Sequence, residues 1–175
     1  LDLEQPTANH TISQLNVLNK FRKRLEREKY INNYASGYYG SLQMAYVIPG
    51  ILLTGYSSIA GFLITSTFVS ENAKVGLSIS IGIVAAISTI LQSISSAFGF
   101  DVRKSELQKS ADSYDNLITR LEFEIINPNE DFIAFCNDLE ASILKIKNEC
   151  QYLPPLFIIA KYEHEILTHN IKFDD

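Results

Sequence analysis

Charge is missing from two long stretches of this 175-residue chain. No Asp, Glu, Lys, Arg or His occurs from Ile31 to Ser70, and none from Val75 to Phe100. Only Glu71 and Lys74 interrupt this uncharged block. An ordinary soluble domain does not place its charges so unevenly, and the apolar content argues against disorder. An excess of positive charge is lacking too. Lys and Arg number 15 against 20 Asp and Glu, a net charge of -5, which speaks against a nucleic-acid partner.

Signatures of chemistry are equally scarce. There is no GxxxxGK[ST] loop, GxGxxG turn, GxSxG elbow or CxxC pair. The histidines are His10, His164 and His169, and the last two are one residue too far apart to share a helix face at i, i+4. Glu122/Glu124 and Glu163/Glu165 are two apart and diverge on a helix, so neither forms a carboxylate dyad. The expectation is a protein that is not an enzyme, with no cofactor and no metal site.

What is present is apolar length. A spanning helix needs roughly 20 mostly apolar residues to cross about 30 Å of hydrocarbon. Two segments meet this, Leu42–Phe68 and Val75–Gly99, and the connection between them forces antiparallel helices. Hiding two such helices inside a soluble core would need more amphipathic helix than the rest of the chain provides. The fold class expected is all-α: a two-span transmembrane helical hairpin with cytoplasmic antiparallel amphipathic helices. The division expected is an amphipathic, Tyr-rich approach (1–41), the hairpin (42–99), a cytoplasmic helical pair (100–155) and a short helix with a tail (156–175). The first span starts too late for a secretory signal. Met44, the only methionine, lies inside it, so a segment upstream of Leu1 is expected.

Basic residues flank the outer ends of the hairpin. Lys20, Arg22, Lys23, Arg24, Arg27 and Lys29 precede it, and Arg103, Lys104 and Lys109 follow it. The positive-inside rule puts both termini in the cytoplasm. Lys20, Arg22, Lys23, Arg24, Arg27, Arg103 and Lys104, with Tyr34 and Tyr38 of a tyrosine face, are expected to contact lipid headgroups. The Asn9-His10-Thr11 triplet matches a glycosylation acceptor, but this topology keeps it from the glycosylating compartment.

Each span carries a stripe of small or polar residues. Gly50, Thr54, Ser57 and Gly61, continuing to Thr65, mark the first; Ser78, Gly82, Ala85, Thr89, Gln92 and Ser96 mark the second. Small residues let helices approach closely, so these stripes are expected at protein contacts, within one hairpin or between copies, or lining a wet path. Pro49 is expected to kink the first span, with Ser57 and Ser58 satisfying the freed groups.

Beyond the second span an amphipathic helix, read as continuous with it, is expected to reach about Ile126 and stop at Asn127-Pro128. Asn129 would cap a further helix running to about Tyr152, with Phe132, Cys136, Leu139, Ile143, Ile146, Cys150 and Leu153 as its apolar seam. Ile12, Leu15, Leu18, Phe21 and Leu25 form an upstream amphipathic helix able to join the same bundle. Cys136 and Cys150 lie about 21 Å apart along one helix, too far for a mutual disulfide, and are read as buried core thiols.

The approach YINNYASGYYGSL, the span IPGILLTGYSSIAGFL, the short turn, the exit FGFDVRKSELQKSADSYDNLITRLEFEI and the later LPP together resemble the SLATT family of two-transmembrane proteins, over roughly residues 12 to 155. The resemblance implies a membrane hairpin with a cytoplasmic helical extension. It also implies an effector role in bacterial conflict systems, where such proteins are thought to form pores or disrupt membranes beside nucleotide-signal synthases or sensors. No nucleotide-sensing domain is expected within these residues. The expected partners are the lipid bilayer, further copies of the chain and a protein on the cytoplasmic side. The alternative is a membrane-anchored scaffold, such as a minor structural protein of the inner membrane of a large virus.

Overall fold

The computed structural model describes residues 12–128 and 131–170, with side chains through residue 165. Helix accounts for nearly all of them and no strand occurs among the described residues. The elements are α1 (Ile12–Thr65), α2 (Glu71–Phe98), α3 (Phe100–Ile126), α4 (Phe132–Glu149) and α5 (Leu156–Asn170). Asn9 to Thr11 and the Asn129 cap lie outside the described residues.

The upstream amphipathic stretch and the first apolar segment are one helix, α1, of 54 residues. It runs through Pro49. A proline at that position leaves the Ala45 carbonyl without its i+4 donor. The expected rescue by Ser57 and Ser58 does not occur. Their hydroxyls donate to Leu53 O at 3.0 Å and Thr54 O at 3.0 Å, each one turn before its own residue. The helix ends at Thr65, earlier than the expected Phe68, in a tightened turn where Ser66 N donates to Leu63 O at 3.1 Å.

After residues 66–70, Ser70 sits in extended geometry and its carbonyl accepts Lys74 N at 3.0 Å, opening α2. Glu71 in the first turn complements the helix dipole and pairs with Lys74 at 2.9 Å. The helix therefore begins before the expected Val75. It does not continue into α3 as expected. Gly99 takes the left-handed conformation (φ 58, ψ 41), which breaks the ladder for a single residue. The Gly99 carbonyl then accepts Arg103 N at 3.0 Å, so α3 starts at once.

Helix α3 stops at Ile126, where the residue ahead of Pro128 is pushed out of helical geometry. Asp131 is the N-cap of α4, its carboxylate accepting from Ile133 N at 3.0 Å. Helix α4 ends at Glu149 rather than near Tyr152. Cys150 is its extended C-cap, so residues 150–155 form a connection instead of a last turn. Leu153, expected on the seam, is 87% exposed for that reason. Helix α5 extends to Asn170, past the expected end of its apolar segment at Leu167.

Two compact units result. One is Gly37–Lys104; the other holds the described residues up to Ser36 and from Ser105 on. The second-named unit has a core of Leu18 and Leu25 from α1, Tyr114, Ile118 and Leu121 from α3, and Phe135, Leu139 and Ile143 from α4. Full burial of each such side chain stabilises by about 1.5–3 kcal/mol. The amphipathic stretch at the start of α1 thus does join the bundle. Phe135, absent from the expected seam, sits at its centre, and Cys136 packs at the edge. Both thiols are half-buried, and burial pushes that of Cys136 upward in pKa.

Candidate functional site

Within the 37–104 unit, α1 and α2 lie antiparallel. Gln43 Nε2 donates to Asp101 Oδ1 at 3.2 Å, and the Tyr56 hydroxyl meets Ser80 Oγ at 2.9 Å. The inner face of α1 is Tyr46, Gly50, Leu53, Ser57, Ala60, Gly61 and Ile64. Of the expected stripe, Gly50 is buried and Ser57 and Gly61 are half-buried, whereas Thr54 and Thr65 are exposed.

On α2 the inner face is Leu77, Ser80, Ile81, Val84, Ser88, Leu91 and Ser95. Ser78, Gly82, Ala85, Thr89, Gln92 and Ser96 are all exposed, so their stripe faces outward in the single chain. One residue along a helix is about 100° around it, and the two faces differ by one residue. A signal for the inner face does exist in the sequence. Ser88 and Ser95 are a heptad apart, with Ser80 close to the same register.

The structure brings four of the singled-out residues together on one flank of this hairpin. Gly50, Thr54 and Gln92 border a cleft of about 250 Å³ with Val47 and Ile51. Gln92 and Ser96 border an adjoining cleft of about 330 Å³ that reaches Gly99 and Asp101. The hydroxyls here need no neighbour. Thr54 donates to Gly50 O at 2.8 Å and Thr89 to Ala85 O at 2.9 Å, the usual back-bonding of a helical threonine. Gln92 differs: its amide has no partner among the described residues.

Aromatic rings gather around Gly99. Phe98 and Phe100 stack at 5.6 Å, Tyr46 stacks on Phe100 at 5.6 Å, and Tyr39 lies 6.4 Å from the same ring. Tyr38 packs edge-on against Tyr39 at 5.5 Å. The Arg103 guanidinium lies 5.7 Å from the Tyr39 ring centre, and the Lys104 stem runs along Gly40. Arg103 and Lys104 are therefore held by their side chains against α1.

In the other unit most of the basic run is already paired. Arg22 meets Glu26 and Glu122, Arg24 meets Glu140, Arg27 meets Glu163 and Lys29 meets Asp115. Arg120 pairs with Asp138 and Lys147 with Glu28. Exposed pairs contribute about 0.2–1 kcal/mol each, so this lattice fixes which helix faces which more than it stabilises. Lys20 and Lys23 are exposed without an ion-pair partner among the described residues, beside a cleft that includes Asn16 and Asn19.

Tyr34, expected at headgroups, is engaged by α5. Lys161 Nζ donates to its hydroxyl at 2.7 Å and lies 4.5 Å from its ring centre. The hydrogen bond to Tyr34 holds the Lys161 ammonium above its ordinary pKa. Tyr30 donates to Glu165 at 3.1 Å, which raises the phenol's pKa, and packs on Tyr162 at 5.0 Å.

His164 lies exposed on α5, while His10 and the side chain of His169 lie outside the described residues. Among the described residues no group of three or more His, Cys, Asp or Glu could hold a metal ion. Comparison of the chain with protein-family models, with curated proteins and with solved structures finds no match.

Proposed function

We propose that this chain is a non-enzymatic integral membrane protein, similar to the SLATT proteins, that assembles through its apolar hairpin as an oligomeric membrane effector or pore. Both termini lie on the cytoplasmic side. One observation carries the reading: the apolar windows of the two long helices are only 11% and 6% buried. The core helix of a soluble protein buries such a window. Here Ile51, Leu52, Ile59 and Phe62 of α1 and Ile79, Ile83 and Ile90 of α2 all stand exposed. Water around that surface costs about 25 cal/mol per Å², and lipid removes the cost.

Self-assembly is supported by the flank with Gly50, Thr54, Gln92 and Ser96. A glutamine amide surrounded by hydrocarbon gains from a hydrogen bond to a neighbouring copy, while the exposed Ser96 lets that copy approach. The scaffold reading has its own support. The helical bundle leaves Phe123 and Ile126 of α3 and Ile133 of α4 exposed, an apolar surface suited to a docked protein layer.

Reconstitution tests both. The full chain is placed in vesicles of mixed zwitterionic and anionic phospholipid loaded with a self-quenched dye. Resistance to alkaline carbonate extraction together with dye release supports the effector or pore. Carbonate resistance without release, and with a co-purifying protein at fixed ratio, supports the scaffold. A chain that is monomeric and soluble without detergent overturns both.

A further inference from the structure

The helical bundle contains a cavity of about 230 Å³ that its packing does not fill. Helix α1 contributes Ile31 and Asn32, α3 contributes Ser110 and Tyr114, and the α4–α5 connection borders its half-open mouth with Cys150 and the exposed Leu153. For scale, about 150 Å³ of apolar cavity suffices for benzene.

The polar groups of the wall are nearly all committed. Lys147 Nζ pairs with Glu28 at 3.0 Å, and Arg27, also on the rim, pairs with Glu163 at 3.0 Å. Asn32 Nδ2 donates to Glu28 O at 2.8 Å, Ser110 Oγ to Glu106 O at 3.1 Å, and Cys150 Sγ to Tyr152 O at 3.2 Å. Tyr114 is the exception. Its side chain is 2% exposed, yet the hydroxyl has no hydrogen-bond partner among the described residues. The hydroxyl keeps some contact with the open space of the cavity, so it presents there a donor that no group of the chain uses. Because both cations are already neutralised by carboxylates, a charged guest would be desolvated without a counter-ion.

We infer that this cavity binds a small uncharged organic molecule, a ring or branched apolar body carrying one carbonyl-type acceptor that receives the Tyr114 hydroxyl. Burial, with the nearby Glu28 carboxylate and Cys150 thiol, raises the phenol's pKa and keeps it a donor throughout the physiological range. The inference does not depend on the membrane reading, since every wall residue belongs to the helical bundle.

Three probes of one shape and different charge test it: benzamide (neutral), benzoate (anionic) and benzamidine (cationic). The full chain in detergent is alkylated with iodoacetamide, and the rates at Cys150 and Cys136 are read separately by peptide mass spectrometry. Saturating benzamide is expected to slow Cys150 about fivefold and leave Cys136, which does not line the cavity, unchanged. Tyr114→Phe is expected to weaken benzamide about fivefold, the worth of one neutral hydrogen bond, with an unfolding midpoint equal to or above that of the parent. Absence of Cys150 protection by benzamide overturns the site and leaves a solvent cavity. Equal protection in Tyr114→Phe, equal potency of either charged probe, or a lowered midpoint in Tyr114→Phe overturns the assigned chemistry.

Discussion

Arg24 Nη1 reaches both carboxylate oxygens of Glu140, at 2.8 and 3.1 Å, across 116 residues of sequence. The contact ties α1 to α4 and explains one member of a basic run that otherwise reads as headgroup attraction. Both side chains are 40% exposed, so solvent screens the pair. A double-mutant cycle of Arg24→Ala and Glu140→Ala is expected to give a coupling of about 0.5 kcal/mol that shrinks in high salt. Leu139→Ala, one residue away in the core, should cost about 2–5 kcal/mol. Denaturant unfolding followed by circular dichroism measures both.

Gly99→Ala isolates a backbone effect. A Cβ at Gly99 meets nothing within 4 Å, so the cost comes from the φ of +58 alone. Destabilisation of about 1–2 kcal/mol is expected, and a smaller loss for Gly99→Asn, because asparagine tolerates the left-handed region better. Thermal unfolding of the two variants beside the parent provides the check.

Gln92 and Thr89 should behave differently although both face outward on α2. Gln92→Leu removes the amide that has no partner within the chain and is expected to weaken self-association by about 0.6–2 kcal/mol. Thr89→Val removes a hydroxyl already bonded to its own helix and should change association little. Förster transfer between labelled copies in vesicles, as a function of protein-to-lipid ratio, separates the two.

Alkaline pH should loosen the helical bundle. Tyr114, Tyr30, Tyr162 and Lys161 all have pKa values raised on folding, Tyr114 chiefly by burial, Tyr30 by its bond to Glu165, Tyr162 by burial and Lys161 by its bond to Tyr34. A raised value means the folded state holds its proton longer. The associated stability is therefore complete below about pH 10 and is lost as the pH climbs above it. Unfolding midpoints should fall above that point, and Tyr114→Phe should flatten the decline. Tyrosinate absorbance recorded alongside circular dichroism follows both events.

Several features were legible from residue order. The halt of α3 ahead of Pro128 follows from local sterics, and the α3 positions Leu107, Ala111, Tyr114, Ile118 and Leu121 are buried as their spacing implies. The α4 seam was legible only in part: Leu139 and Ile143 are central, but Leu153 left the helix with Cys150 and became exposed. The break at Gly99 was hidden, since a glycine between two phenylalanines is compatible with helix until its φ is known. The stripe of α2, expected at a protein contact, faces outward in the single chain, and which neighbour it meets is not a property of one helix.

Residue order alone determined that two charge-free apolar runs become two long helices joined by a short turn, and that amphipathic helical stretches precede and follow them along the chain. Helix formation depends on neighbours three and four residues away, so the pattern suffices. Tertiary structure decided how each helix is rotated about its axis, which carboxylate each arginine meets, that α5 engages Tyr30 and Tyr34, and that Tyr114 borders a cavity. Those outcomes depend on which surfaces meet across more than a hundred residues of chain, where a rotation of about 100° exchanges one face for the next.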